Sequence, residues 1–93
     1  MKILTFSGKH IHSLSDIYTQ VVRDLDLDAT LFGYNLDALS DVLSERTITD
    51  IRLTENHLMK QHMQEKHHVW WSEYEVFLDL LTDLEDARIT IIS

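Results

Sequence analysis

The chain has 93 residues, of which 44% are hydrophobic, and its 16 Asp and Glu against 8 Lys and Arg give a formal charge of −8. This length supports one hydrophobic core, so we expect a single domain over residues 1–93. The negative charge disfavours nucleic acids and anionic membranes as partners and favours a basic protein, although solubility alone would also explain it.

Cysteine is absent from the sequence, so neither disulfides nor thiolate metal sites stabilise the fold. The apolar run at residues 3–6 is too short for the hydrophobic part of a signal peptide, and no segment approaches the ~20 apolar residues of a membrane span. We therefore expect a cytoplasmic protein.

The N-terminal part predicts a strand followed by a helix. Residues 2–6 are largely apolar and are followed by Ser-Gly, as expected of a short buried strand. From residue 13 onwards apolar side chains recur at helical spacing, at Leu14, Ile17, Tyr18, Val21, Val22 and Leu25. Either Ser13 or Ser15 can cap this helix, and Asp16 lies in its first turn, where the helix dipole favours an acid.

A loop and a shorter helix come next. Gly33 interrupts the apolar pattern within residues 31–34, and we expect it to adopt an unusual φ angle. Asn35 is a candidate N-cap for the second helix. Helical spacing is kept by Leu36, Leu39, Val42 and Leu43.

The C-terminal half predicts two strands and one long helix. Within residues 47–54, Ile48, Ile51 and Leu53 stand among β-branched threonines, which indicates a second strand. Residues 55–68 are polar and histidine-rich and are interpreted as a mobile insertion. A wide apolar face predicts a helix from residue 70 to residue 84. The β-branched run at 88–92 suits a strand covered on both faces.

The predicted order is therefore β-α-α-β-α-β. Strands that are separated by helices need crossover connections, which are right-handed and produce a parallel sheet. The fold class that we predict is α/β, with a small three-stranded parallel sheet and helices packed on it.

Acidic residues stack on two of the predicted helices. Asp37, Asp41 and Glu45 lie on successive turns of the predicted second helix, and Asp79 and Asp83 repeat this spacing on the predicted last helix. Like charges at this spacing cost a helix about 0.2–0.5 kcal/mol per pair. Such rows are either ordinary solvated faces or a surface that meets clustered Arg, Lys or His on a partner.

Two patterns bear on metal binding. The acids of Asp24-Leu-Asp26-Leu-Asp28 resemble the start of a calcium loop, but Ala29 and Asn35 stand where that loop needs glycine and glutamate. The six histidines include His10, His12, His62, His67 and His68. Their spacing does not match a helical metal pair, and no HExxH motif occurs, so we expect neither a metal nor another cofactor.

The adjacent Trp70 and Trp71 have different expected roles. One of these side chains is expected in the core, and the other is expected to be an exposed contact residue.

The segment GYNLDALSDVL, residues 33–43, resembles the signature of the barstar family, intracellular inhibitors of secreted ribonucleases of the barnase type. The first strand, turn and helix and the closing Ile-Thr-Ile-Ile-Ser are also similar to that family. The resemblance implies a barstar-like domain that acts as an immunity or antitoxin protein by binding a basic ribonuclease one-to-one. It implies no catalytic activity of the chain itself.

The resemblance also implies which residues bind the partner. In the barstar family the second helix and the loop before it enter the nuclease cleft, where acids imitate the substrate phosphate. By position, Asp41 would be the central phosphate mimic, with Asp37 as its neighbour. The expected partner-binding residues are Phe32, Gly33, Tyr34, Asn35, Asp37, Ser40, Asp41, Glu45, Asp79 and Asp83.

Some positions depart from the family pattern. Ser40 stands where family members often carry an aromatic residue, and Leu31 or Phe32 stands where a tyrosine contacts the nuclease. Ser44-Glu45-Arg46 occupies the place of a further contact tryptophan, and residues 57–71 match least well. These differences suggest a different target nuclease.

Two other functions are compatible with the sequence. One is an acidic interaction module for a basic partner that is not a nuclease. The other is a metal-dependent enzyme that uses Asp37 and Asp41 with histidines of the polar segment, although no nucleophile or further ligand set is evident.

Overall fold

The computed structural model describes residues 2–45, 48–64, 72–85 and 87–92. Within these residues the strands are β1 (Lys2–Ser7), β2 (Ile48–Thr54) and β3 (Arg88–Ile91), which form one parallel sheet in the order β1-β2-β3. The helices are α1 (Leu14–Asp24), α2 (Leu36–Leu43), α3 (Asn56–Gln64) and α4 (Glu73–Thr82). The predicted α/β class with a three-stranded parallel sheet is confirmed.

The hydrophobic core lies against one face of the sheet. Leu4 of β1 pairs with Ile51 of β2, which pairs in turn with Ile89 of β3, and these three side chains are buried or partly buried. The alternate residues Thr5 and Arg52 point to the other face and are exposed. The described helices therefore pack on one face, whereas most parallel sheets are covered on both.

The prediction that the last strand is covered on both faces is wrong. β3 is an edge strand, and Ile91 and Ile92 at its end are 50% and 49% exposed. β-branched residues favour any strand, so the composition of this segment does not distinguish a central strand from an edge.

The interpretation of residues 55–68 as a mobile insertion is wrong for residues 56–64, which form α3. Met59 and Met63 lie one turn apart on this helix, and both side chains are fully buried in the core. The predictions for Trp70 and Trp71 lie outside the described residues.

A carboxylate from α4 fixes the start of α1. Ser13 is the N-cap residue, but its side chain makes no capping hydrogen bond. The backbone N–H of Leu14 donates instead to Glu73 Oε1 at 2.8 Å, and the N–H of His12 donates to Asp16 Oδ2 at 2.8 Å. The first bond satisfies a backbone donor that the start of a helix leaves unpaired and links α1 to α4, and the second ties the residue before the N-cap to the first turn.

The last helix is shorter than predicted. α4 begins after Ser72, whose side chain accepts a hydrogen bond from the Glu75 N–H, and it ends at Thr82. In the part of the chain that is described, no helix has the length and apolar composition that crossing a bilayer requires.

The burial of Met59 yields a test of the core. We expect Met59→Ala to lower the free energy of unfolding by about 2–5 kcal/mol, because it removes packed atoms and leaves a cavity. The exposed neighbour Lys60 provides the control, and Lys60→Ala should change that free energy by less than about 0.5 kcal/mol. Urea unfolding measures both, and equal effects of the two substitutions would contradict the placement of α3 in the core.

Candidate functional site

Helix α2 presents Asp37 and Asp41 to solvent. Both side chains are exposed one helical turn apart, while Leu39 and Leu43 on the opposite side are buried. None of the ion pairs found between described residues involves either aspartate, and Arg23 pairs with Asp24 instead. The burial of the apolar side therefore orients two carboxylates outward.

Asn35 joins the loop to α2, as its predicted role of N-cap requires. Its Oδ1 accepts a hydrogen bond from the Ala38 N–H at 2.8 Å, and its Nδ2 donates to the Gly33 carbonyl oxygen at 3.2 Å. The N-cap prediction is confirmed, and the same side chain also holds the preceding turn of the loop against the helix.

The prediction of an unusual φ angle at Gly33 is wrong, because the left-handed conformation falls on Tyr34, with φ 49°. A side chain at position 33 would affect Asn35 instead. A Cβ atom there would lie 2.9 Å from Asn35 Nδ2, so this amide, which bonds the Gly33 carbonyl oxygen, would have to shift.

Tyr34 belongs to an aromatic cluster that consists of Tyr18, Phe32 and Tyr34. The ring centroids of Phe32 and Tyr34 are 5.0 Å apart, and Tyr18 of α1 lies 6.1 Å from Phe32 and 6.5 Å from Tyr34. These separations suit attractive packing between aromatic rings. Tyr34 nevertheless remains 45% exposed, so part of its ring is open to a partner.

A hydrogen-bonded turn supports the first part of the loop. Asp28 Oδ1 accepts hydrogen bonds from the backbone N–H and the hydroxyl of Thr30, at 2.9 and 2.6 Å, and these bonds lower the pKa of Asp28 below its usual value. The backbone N–H groups of Leu31 and Phe32 donate to the Asp28 carbonyl oxygen. Asp28 is thus engaged in the turn itself.

An apolar surface lies beside the acids. Leu31 is 82% exposed. A shallow cavity of about 300 Å³ is lined by Leu27, Asp28, Leu31, Phe32 and Val42. Charged residues next to an apolar contact area are typical of a protein–protein interface.

The remaining expected site residues are distributed over two places. Glu45 is exposed just beyond α2, and Ser40 is half-buried, with its carbonyl oxygen accepting a hydrogen bond from the Ser44 hydroxyl. Asp79 and Asp83 are exposed on α4 and at its C-cap. The structure thus groups the loop and the α2 acids on one continuous segment and places the other two acids on a separate helix.

Two histidines approach each other away from α2. The rings of His12 and His62 are 4.2 Å apart, and His12 Nδ1 lies 3.6 Å from Asp16 Oδ2. Among the described residues no group of three or more His, Asp or Glu side chains could hold a metal ion. His67 and His68 lie outside those residues, and nothing in the described part of the chain favours the metal-dependent enzyme.

The sequence matches the family model described as Barstar (barnase inhibitor) over residues 1–91, a range that includes every described strand and helix. A comparison with curated proteins finds no match. Since the family model spans the sheet, the loop and the acidic helix together, the chain belongs to the barstar family of barnase inhibitors.

Proposed function

We propose that this chain inhibits a basic ribonuclease of the barnase type by inserting the acidic side of α2 into the active-site cleft, in a one-to-one complex. The observation that carries the proposal is the pair Asp37 and Asp41, exposed on one side of a helix whose other side is buried. Family membership supports the class of partner, because the family is that of barnase inhibitors.

Electrostatics explains why such a surface would bind a ribonuclease. An enzyme that binds RNA must offer positive charge to the phosphates of its substrate. Two carboxylates on a well-packed helix present comparable negative charge, and the formal charge of −8 on the whole chain adds long-range attraction. The inhibitor is steered to the cleft and then blocks it sterically.

In this proposal Asp41 is the central phosphate mimic and Asp37 is its neighbour. Asp37 lies in the first turn of α2, where the helix dipole favours an acid, whereas Asp41 lies near the C-terminal end, where the dipole disfavours one. Arginine side chains of a nuclease would relieve the unfavourable position of Asp41, so its charge is worth more in the complex than in the free protein.

The loop supplies contacts around the acids. Tyr34 and Leu31 expose apolar area next to α2, as aromatic and aliphatic anchors do at many interfaces. Ser40, Glu45, Asp79 and Asp83 would contribute at the margin of the contact, where exposed charges affect association more than they affect the strength of binding.

We place this activity in the cytoplasm, where an inhibitor protects the RNA of the cell from a nuclease made there or delivered from outside. The lack of cysteine suits a reducing compartment.

The first test replaces the central acid. We expect Asp41→Ala to raise the Kd for a barnase-type ribonuclease by at least about 30-fold, the level of an interface hot spot, because it leaves nuclease arginines unpaired. The barnase–barstar pair is itself the established example of an aspartate hot spot, and the expected size follows from that class of contact. Inhibition of RNA cleavage is titrated with barnase and a panel of related nucleases.

A matched control removes a charge from the face of the sheet that lies opposite the described helices. Asp50 pairs with Ile3 and Arg88 on the face that the described helices leave uncovered, so Asp50→Ala changes the net charge equally without touching α2. Its Kd should stay within about twofold of the parent's. If Asp41→Ala inhibits as tightly as Asp50→Ala, Asp41 is not the central contact.

The second test uses ionic strength. The screening length falls from about 30 Å at 0.01 M salt to about 3 Å at 1 M. We expect the association rate constant to fall at least about tenfold across this range and the dissociation rate constant to change less. Stopped-flow fluorescence measures both, and an association rate that does not respond to salt would show that the acids do not steer the encounter.

A basic partner other than a nuclease would produce a similar salt dependence. Capture of partners from a lysate, followed by a ribonuclease assay of the captured protein, separates the two functions. A captured basic protein without ribonuclease activity would favour the general acidic interaction module.

A further inference from the structure

The loop before α2 contains an unfavourable backbone conformation. Tyr34 has φ 49°, a region that is unfavourable for a bulky residue, so the surrounding structure must hold it there. The Asn35 side chain fixes Gly33 and the start of α2, on either side of Tyr34. The ring of Tyr34 is held separately, by the aromatic cluster.

Tyr18 is the member of the aromatic cluster that belongs to a rigid element. It lies on α1 between Ile17 and Val21, which are both fully buried, and the start of that helix is fixed by the bond from the Leu14 N–H to Glu73. Burial, with a smaller contribution from the negative charge of Glu73, raises the pKa of the Tyr18 phenol above its usual value.

The two other rings of the cluster belong to the loop. Phe32 packs against both tyrosines and is half-buried, whereas Tyr34 remains 45% exposed. Tyr18 thus supports, from behind, the loop residues that the proposed function places at the nuclease. It lies on α1, outside the row of acids on α2.

We infer, on the basis of the proposed function, that Tyr18 is a positioning residue of the inhibitor surface. In this role Tyr18 does not contact the nuclease. Its ring holds Phe32 and Tyr34 in the arrangement that the complex requires. A loop that is ordered before binding does not lose its conformational freedom on association, so it binds more tightly than the same loop in a mobile state.

The test compares two substitutions of Tyr18 in the full chain. Tyr18→Leu keeps an apolar side chain but removes the ring, and we expect the Kd for the ribonuclease to rise about tenfold with an unchanged salt dependence of association. Tyr18→Phe keeps the ring and should restore the Kd to within about twofold of the parent's. The hydroxyl is not required by this inference.

A control separates positioning from ordinary loss of stability. Ile17→Val removes one methylene from the fully buried neighbour of Tyr18 on α1 and leaves the aromatic cluster intact. It should lower the midpoint of urea unfolding and leave the Kd unchanged. If Ile17→Val weakens binding as much as Tyr18→Leu, the effect of Tyr18 is that of any core residue and the inference is overturned.

A double substitution tests whether Tyr18 acts through Tyr34. Tyr34→Ala removes the ring that Tyr18 supports, so adding Tyr18→Leu to it should raise the Kd much less than Tyr18→Leu does alone. Additive effects of the two substitutions would overturn the inference.

The free protein gives a readout that needs no nuclease. In ¹H–¹⁵N spectra of Tyr18→Leu, the amide signals of residues 31–34 should shift towards random-coil positions or broaden, while those of residues 39–43 stay in place. Unchanged loop signals would overturn the inference about Tyr18 whether or not a nuclease binds. Failure of the parent protein to inhibit any barnase-type ribonuclease would overturn the proposed function instead.

Discussion

The hydrogen bonds of Asn35 are the interaction on which the candidate site depends. One side chain accepts from the Ala38 N–H and donates to the Gly33 carbonyl oxygen, so it starts α2 and fixes the loop in a single arrangement. An eight-residue helix is too short to be stable on propensity alone. Its cap and the burial of Leu39 and Leu43 therefore determine where Asp37 and Asp41 point, and a frayed first turn would disperse the negative charge that the proposed function concentrates.

The same segment contains the features that oppose stability. Asp37 and Asp41 repel each other on α2 without an ion pair among the described residues, and Tyr34 adopts a left-handed backbone conformation. The hydrophobic core of the described residues lies on one face of the sheet. Left-handed backbone also occurs at Asp26 and Glu55, so Tyr34 is distinguished by its place beside the exposed acids of α2. Unfavourable local features that are supported by packed neighbours are typical of a binding site.

Periodicity and residue type predicted those parts of the fold that depend on local pattern. The apolar stripe of α1, the strand β2 and the cap at Asn35 were all expected from short segments.

Helix α3 was not predicted, because only Met59 and Met63 mark its buried side within a polar stretch. The exposure of Ile91 depends on the position of β3 at the sheet edge, which no local pattern encodes. The left-handed residue was expected at Gly33, since glycine tolerates that conformation best, but packing places it on Tyr34.

The approach of Tyr18 to Phe32 and Tyr34 could not be predicted from the sequence either, because there Tyr18 is one apolar position in a helical stripe.

The contact of Tyr18 with the loop bears on the specificity of the inhibitor. The acids of α2 are attracted by positive charge, which every cleft that binds RNA must offer, so charge alone distinguishes poorly between nucleases. The loop contributes shape, whereas the acids contribute charge. A particular apolar shape is presented next to the charges by Leu31, the cavity beside it and Tyr34. Ser40 is small and half-buried, so the aromatic contact area near the acids comes from the loop and not from α2. If the chain inhibits a ribonuclease as proposed, α2 sets the attraction and the loop held by Tyr18 sets which nuclease fits.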